Sequence, residues 1–225
     1  MISIAHRGAS GYEPENTLKA FKRAISLRAD MIELDVRICR TGELVVIHDA
    51  RVDRMTNGHG KVSKLSLYEL KRLNIRKGEK IPTLEEVLTL VKNKIKLNIN
   101  IKDDRALIPT LNLLEKNMKK HKISPSELVV SALPLGSLRT AYQIKTVTVV
   151  PLLFIFPKLF LRWLSKKDLY AVGVYKRVVS KQLVDIVHSL GMQIYVWTVN
   201  EREEILQMKT WGVDGVITDY PDRVN

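Results

Sequence analysis

The chain opens on a short apolar run, Ile2-Ser3-Ile4-Ala5, that flows into His6-Arg7-Gly8; apolar residues then return at helical spacing as Leu18, Phe21, Ala24 and Ile25. This predicts a first strand and a first helix, with Asn16 or Thr17 as the helix N-cap. In Met31-Ile32-Glu33-Leu34-Asp35-Val36 apolar and acidic residues alternate, so a strand here turns Glu33 and Asp35 to one face. Two carboxylates on one strand face repel unless a cation sits between them, and a metal ion is the simplest cation. The next apolar run, Glu43 to Asp49, follows only Arg40-Thr41-Gly42. A parallel crossover takes about a dozen residues, so this run must pair back as an antiparallel hairpin, and pairing outward from the turn returns His48 to the side of Glu33 and Asp35.

Residues 50–80, with Asn57-Gly58-His59-Gly60 and a short capped helix at Ser66 to Leu70, form a small insertion. Thr83 and Glu86 make a capping-box pattern before Leu84, Val87, Leu88 and Val91, and Ile95 to Lys102 alternates with the clearest period of two in the chain. Further strands are predicted at Leu128 to Ser131, Val147 to Leu153, Tyr170 to Tyr175, Gln193 to Thr198 and Gly215 to Thr218, alternating with helical segments such as Ser180 to Leu190. The strands that helices separate number eight, ending near His6, Asp35, Lys102, Ser131, Leu153, Tyr175, Trp197 and Thr218. The expected fold is therefore an α/β TIM barrel, (β/α)8, with the His48 strand as an extra antiparallel piece. Barrels of this kind carry their chemistry at the C-terminal strand ends, which here hold His6, Arg7, Glu33, Asp35 and Lys102.

Composition narrows the partners. With 225 residues and 45% hydrophobic content, one domain spanning 1–225 is expected. The single cysteine, Cys39, excludes a disulfide framework, and with no charged-then-apolar leader pattern the expected setting is reducing and cytoplasmic. No apolar run reaches the ~18 residues of a spanning helix. The formal charge of +13 suits an anionic ligand, but the basic residues are spread along the chain without an aromatic-laced stripe, which argues against nucleic acid. Lys119-Lys120-His121-Lys122 reads as a solvated helix face, and His121 and His188 as hydrogen-bonded packing residues. The apolar stretch 151–164, with Phe154, Ile155 and Phe156, is expected to be barrel core, a subunit contact in a homo-oligomer, or a lip for a lipid tail or peripheral membrane contact.

The order His6-Arg7-Gly8, Pro14-Glu15-Asn16-Thr17, Glu33-Leu34-Asp35-Val36, Val46-Ile47-His48-Asp49, Ile99-Asn100-Ile101-Lys102, Val196-Trp197-Thr198-Val199-Asn200 and Asp214-Gly215-Val216-Ile217-Thr218-Asp219 resembles the glycerophosphodiester phosphodiesterase family over nearly the whole chain. The resemblance implies metal-dependent hydrolysis of a small anionic glycerophosphodiester to glycerol phosphate and an alcohol. It also implies that His6 and His48 are the acid/base pair, a role that suits side chains titrating near neutral pH.

Arg7 offers a planar donor set for two phosphoryl oxygens, Lys102 adds a fixed positive charge, and Glu15 orients Arg7 or the loop rather than reacting. Trp197 either lines a glycerol pocket or is buried as core. Glu33 and Asp35 supply hard oxygens for magnesium, calcium or manganese. Asn100 departs from the family pattern, standing where the family has a glutamate ligand, so the expected metal set of Glu33, Asp35 and Asn100 carries two formal charges instead of three. A lysophospholipase D-like enzyme on the same scaffold and a non-catalytic phosphodiester-binding protein are the rival readings.

Overall fold

The computed structural model describes residues 1–92, 94–121, 124, 127–132, 147–154 and 169–224. In chain order the elements are β1 (Ile2–His6), α1 (Leu18–Ser26), β2 (Met31–Ile38), β3 (Leu44–Val46), α2 (Leu67–Arg72), α3 (Leu84–Val91), β4 (Lys96–Ile101) and α4 (Asp104–His121). They continue with β5 (Leu128–Ala132), β6 (Thr148–Leu153), β7 (Ala171–Tyr175), α5 (Lys181–Ser189), β8 (Gln193–Trp197), α6 (Arg202–Trp211) and β9 (Gly215–Thr218). Strand β1 pairs in parallel with both β9 and β2, so the ring β1, β2, β4 through β9 closes on itself as an eight-stranded parallel barrel. Strand β3 lies outside the ring, antiparallel to β2, with Val36 opposite Val46 and Ile38 opposite Leu44. Both the barrel and the extra strand match the expected TIM-barrel plan.

The alternation in each strand decides where its side chains go. Ile4, Met31, Val129, Val150, Ala171, Tyr195 and Ile217 point inward and fill the lower barrel. The other face of the strands packs against the helices: Ile32, Leu34 and Val36 join Phe21, Leu84, Val87 and Leu111 in one outer cluster, and Val172, Val174, Ile194 and Val196 join Leu183, Val187 and Ile205 in another. The cap residue of α1 is Thr17, whose side chain accepts from Ala20 N; Asn16 is not the cap. Ser66 and Thr83 close the expected capping boxes with Glu69 and Glu86.

Strand β3 is shorter than the expected run to Asp49. Beyond Val46 the ladder continues only through Ile47 N–H to Asp35 O (3.0 Å), so His48 and Asp49 sit on loop that still returns beside β2. The insertion is real and has a small core of its own, Val52, Val62, Leu70, Ile75 and Ile81, packed on Val45, Ile47 and Cys39.

His188 Nε2 lies 2.9 Å from Asp214 Oδ2 ahead of β9, hydrogen-bonded as expected but exposed on the surface of α5 rather than packed. Lys119 pairs with Glu115 one turn away on the exposed face of α4; the His121 side chain and Lys122 lie outside the described residues. Of the apolar stretch, Pro151 to Leu153 belong to β6 and Phe154 is 45% exposed, while 155–164 lie outside the described residues. No helix among the described residues is long and apolar enough to cross a membrane.

Candidate active site

Strand β1 ends in two consecutive residues of left-handed backbone, Arg7 (φ 56°) and Gly8 (φ 83°). The position of Gly8 requires glycine, because a Cβ there would stand 2.7 Å from the Ala20 backbone carbon. This sharp turn folds the chain onto α1 and points Arg7 back over the barrel mouth. Its guanidinium donates to Glu15 Oε1 (2.8 Å) and its backbone N–H donates to Glu33 Oε2 (3.1 Å). Arg7 Nε stands 3.2 Å from Asp35 Oδ2 as an ion pair but makes no aligned hydrogen bond. Glu15 is thus in direct contact with Arg7. Asn16, also left-handed (φ 57°), donates to Asp35 Oδ2 (2.9 Å) and accepts from Asp35 N (3.2 Å).

The register of β1, β2, β4 and β5 sets the floor. His6 stands beside Glu33, Asp35 beside Asn100, Glu33 beside Asn98, and Asn100 beside Ser131. Glu33 and Asp35 are almost fully buried. Burial and the neighbouring Asp35 charge push the Glu33 carboxyl above its ordinary range. Asp35 lies below its range: burial opposes this, but Lys102 and Arg7 outweigh it. Lys102 Nζ is 3.3 Å from Asp35 Oδ1. The acidic pair is thus already faced by two cations of the chain itself.

The histidines flank this pair, and each is braced by a carboxylate. His6 Nδ1 donates to Asp219 Oδ1 (2.7 Å), and Asp219 also accepts from Ser10 Oγ (2.8 Å) and Asn200 Nδ2 (2.7 Å). Burial works against charge on His6, but the Asp219 hydrogen bond and the Glu33 charge outweigh it and raise its pKa. Asp219 falls to about 2 against its own burial, chiefly through the hydrogen bond from His6. His48 Nδ1 donates to Asp49 Oδ1 (2.7 Å), with burial lowering its pKa despite Asp35 and Asp49. With both Nδ1 atoms engaged, Nε2 is on each ring the nitrogen without a partner among the described residues.

A cavity of about 220 Å³ joins these groups, lined by His6, Arg7, Glu33, Asp35, His48 and Lys102 together with Asn98, Asn100, Ser131, Leu152, Phe154 and Trp197. Trp197 lines it and also packs edge-to-face on Phe154 (4.7 Å between centroids), so it is wall and packing residue at once. Asn98 Oδ1, Asn100 Oδ1, Ser131 Oγ and Trp197 Nε1 are buried polar atoms without a partner among the described residues, and all four residues line this one cavity. Buried polar atoms are nearly always satisfied, so a cluster of orphans marks a place for a polar ligand.

Among the described residues no group of three or more His, Cys, Asp or Glu side chains is disposed to hold a metal. What the site offers is two carboxylates and an amide: Asn100 Nδ2 donates to Glu33 Oε1 (3.3 Å) while its Oδ1 has no partner among the described residues. An all-oxygen set with one orphaned carbonyl fits a hard divalent cation.

All the expected site residues converge on this mouth. Sequence reasoning missed Asp219, Asp49, Asn98 and Ser131. Asn98 was accessible to it, since it lies two residues before Asn100 in the same alternating strand and therefore on the same face. Asp219 was accessible too, as the residue just past the last strand of a ring that closes on β1.

Asp219 also gives a pH signature. Its pKa of about 2 in the folded chain lies below the ordinary ~3.9, so its contribution is present above the unfolded value and is lost as pH falls through the folded one. Between about pH 5 and pH 2 wild type is expected to lose ~2 kcal/mol more stability than Asp219→Asn. Urea unfolding at several pH values checks this; equal acid sensitivity contradicts the His6–Asp219 brace.

The sequence model of the glycerophosphoryl diester phosphodiesterase family matches residues 6–223. The chain is 37% identical to a glycerophosphodiester phosphodiesterase of Caldanaerobacter subterraneus, an alignment covering 98% of this chain and 95% of the relative. Among solved structures it superposes with a TM-score of 0.90 on a phosphodiesterase of Oleispira antarctica bound to its product, sn-glycerol 3-phosphate, at 26% identity, covering 98% of this chain and 94% of the other. A glycerophosphodiester phosphodiesterase of Thermotoga maritima matches at TM-score 0.85 and 30% identity, covering 99% and 96%.

Proposed function

This chain belongs to the glycerophosphoryl diester phosphodiesterase family and is a phosphoric diester hydrolase, and from that premise we propose that it hydrolyses small glycerophosphodiesters to glycerol phosphate and an alcohol in a metal-dependent reaction. The observation that carries this reading is the pair of carboxylate-braced histidines that line one cavity together with Arg7, Lys102 and two buried carboxylates. Glu33, Asp35 and Asn100 would hold a divalent ion, which when bound would neutralise charge on the phosphoryl oxygens.

The protein's own groups do the rest. Arg7 and Lys102 bind the phosphodiester anion, with the Arg7 guanidinium held in one plane by Glu15. His48, whose pKa is lowered, is neutral at neutral pH and takes the proton of the attacking water on Nε2. His6, whose pKa is raised by the Asp219 hydrogen bond and the Glu33 charge, is biased toward its protonated form and gives its Nε2 proton to the departing alkoxide. Water and diester thus become monoester and alcohol, and the two rings exchange protonation states, to be reset through solvent. Asn98, Ser131 and Trp197 present polar atoms, unpartnered among the described residues, that are suited to glycerol hydroxyls.

Incubation with glycerophosphocholine, glycerophosphoglycerol and a lysophospholipid, each with and without chelator, tests the reading. Release of glycerol phosphate from the first two is expected, with activity abolished by chelator and restored by magnesium, manganese or calcium. Full turnover after exhaustive chelation contradicts the metal requirement. Preference for the lysophospholipid favours a lysophospholipase D-like activity, for which the half-exposed Phe154 at the cavity wall is the contact for an acyl chain.

A further inference from the structure

The insertion after β3 brings one residue to the barrel rim that the reaction just described does not use. Arg54 lies in a turn held by Met55 N–H to Val52 O (3.3 Å) and Thr56 N–H to Val52 O (3.0 Å), with Val52 fully buried in the insertion's own core. From there its guanidinium reaches two carboxylates at once. Nε donates to Asp49 Oδ2 (2.6 Å) and a terminal nitrogen to Asp49 Oδ1 (3.2 Å). The terminal nitrogens also donate to Glu15 Oε2 (3.1 Å) and Glu15 Oε1 (2.7 Å).

These two carboxylates are the ones that brace the reacting side chains. Asp49 holds His48 Nδ1 at 2.7 Å, and Glu15 holds the Arg7 guanidinium at 2.8 Å. The result is an unbroken path, His48–Asp49–Arg54–Glu15–Arg7, whose centre is one planar cation making a fork to each side. An isolated surface ion pair stabilises little, and Arg54 is about half exposed. Paired forks in a network differ, because they fix geometry as well as charge. A lysine is a point charge and cannot span both carboxylates in one plane. The small core under the turn gives this loop a fixed anchor.

We propose that Arg54 is a positioning residue that ties His48 and Arg7 into one network, so that proton transfer and phosphodiester binding depend on the same guanidinium. The proposal rests on the phosphodiesterase reading for the roles of His48 and Arg7; the linkage itself is geometric. Its consequence is that damage at Arg54 spreads to both functions, whereas damage at Asp49 or Glu15 falls mainly on one.

The test is a pair of mutant cycles. Arg54→Gln is expected to lower kcat on glycerophosphocholine and to raise KM, each about tenfold, the scale that slight misplacement of reacting groups produces. Calorimetric binding of sn-glycerol 3-phosphate, which needs no turnover, should weaken by a similar factor. Asp49→Asn should cut kcat less in the Arg54→Gln background than in wild type, and Glu15→Gln should weaken glycerol phosphate binding less there than in wild type, because groups in one network are non-additive. Arg54→Lys, which keeps the charge and with it the fold, should recover less than half of the loss.

Additive cycles overturn the proposal, as does an Arg54→Gln variant whose kcat, KM and glycerol phosphate affinity all stay within about twofold of wild type. So does full rescue by lysine, which reduces the role to charge alone. A wild-type chain that turns over none of the diesters removes the phosphodiesterase reading, and the glycerol phosphate binding cycle then decides the linkage by itself.

Discussion

His6→Ala and His48→Ala are each expected to lower kcat on glycerophosphodiesters by about 10²–10⁴, the span that a positioned acid or base contributes; the thermal midpoint of His48→Ala should stay near that of wild type, while that of His6→Ala should fall with the loss of the hydrogen bond to Asp219. Neither ring carries the core: His6 caps the end of β1 and His48 sits on loop beyond β3. The pH profile separates their roles. A lowered His48 pKa places the acid limb of kcat/KM below the ordinary ~6.5, because the base must lose its proton before it can act. A raised His6 pKa places the alkaline limb above that value, because the acid must keep its proton. His48→Ala is therefore expected to erase the acid limb and leave the alkaline one, and His6→Ala the reverse. Wild-type turnover in either variant sinks the acid/base pairing, and a swapped loss of limbs reverses the direction of proton flow.

Most of the barrel was legible because its signals are local. Alternation in Met31 to Val36 and in Ile95 to Lys102 fixes which side chains point inward, and three linking residues at 40–42 leave a hairpin as the one way to reach Glu43. From that register alone His48 could be set beside the acidic pair, although the strand itself stops at Val46. What escaped was carried by contacts far apart in the chain or by loop conformation. Asp219 braces a residue 213 positions earlier, and nothing in a period of two announces a partner for His6 at the other end of the sequence. Asn16 reads as a helix cap by residue type, yet its neighbour Thr17 takes that place and Asn16 turns instead to the buried Asp35. Arg54 lies in an irregular turn of the insertion, where neither helical nor strand periodicity applies and the geometry follows from the packing of Val52. The acidic pair suggested a metal as the simplest counter-charge. The chain itself answers much of that charge with Lys102 and Arg7, and a metal ion would be an addition to a site already close to balance.

That balance makes Asn100 the most informative single position. Glu33 and Asp35 face Arg7 and Lys102, so a divalent ion entering among them meets a set that is nearly neutral before it arrives. An asparagine carbonyl contributes a hard oxygen but no charge. Asn100→Glu restores a third carboxylate opposite Asp35 in the strand register, and loss of even an outer partner of a metal ligand costs ~10–100-fold in affinity. Gain of a charged ligand is therefore expected to tighten manganese binding by about that factor, read by calorimetry or by the electron spin signal of the bound ion.

The same change has an opposite effect without metal. Three carboxylates close together in a buried floor repel, so the metal-free variant should melt below wild type, and added manganese should raise its midpoint more than it raises that of wild type. Lys102, on the same inward face two residues along, limits the gain if it swings from Asp35 to the new carboxylate. Unchanged manganese affinity together with an unchanged metal effect on melting shows that position 100 does not touch the ion. The unpartnered Asn98 Oδ1, one layer deeper in the barrel, then becomes the candidate for the third oxygen.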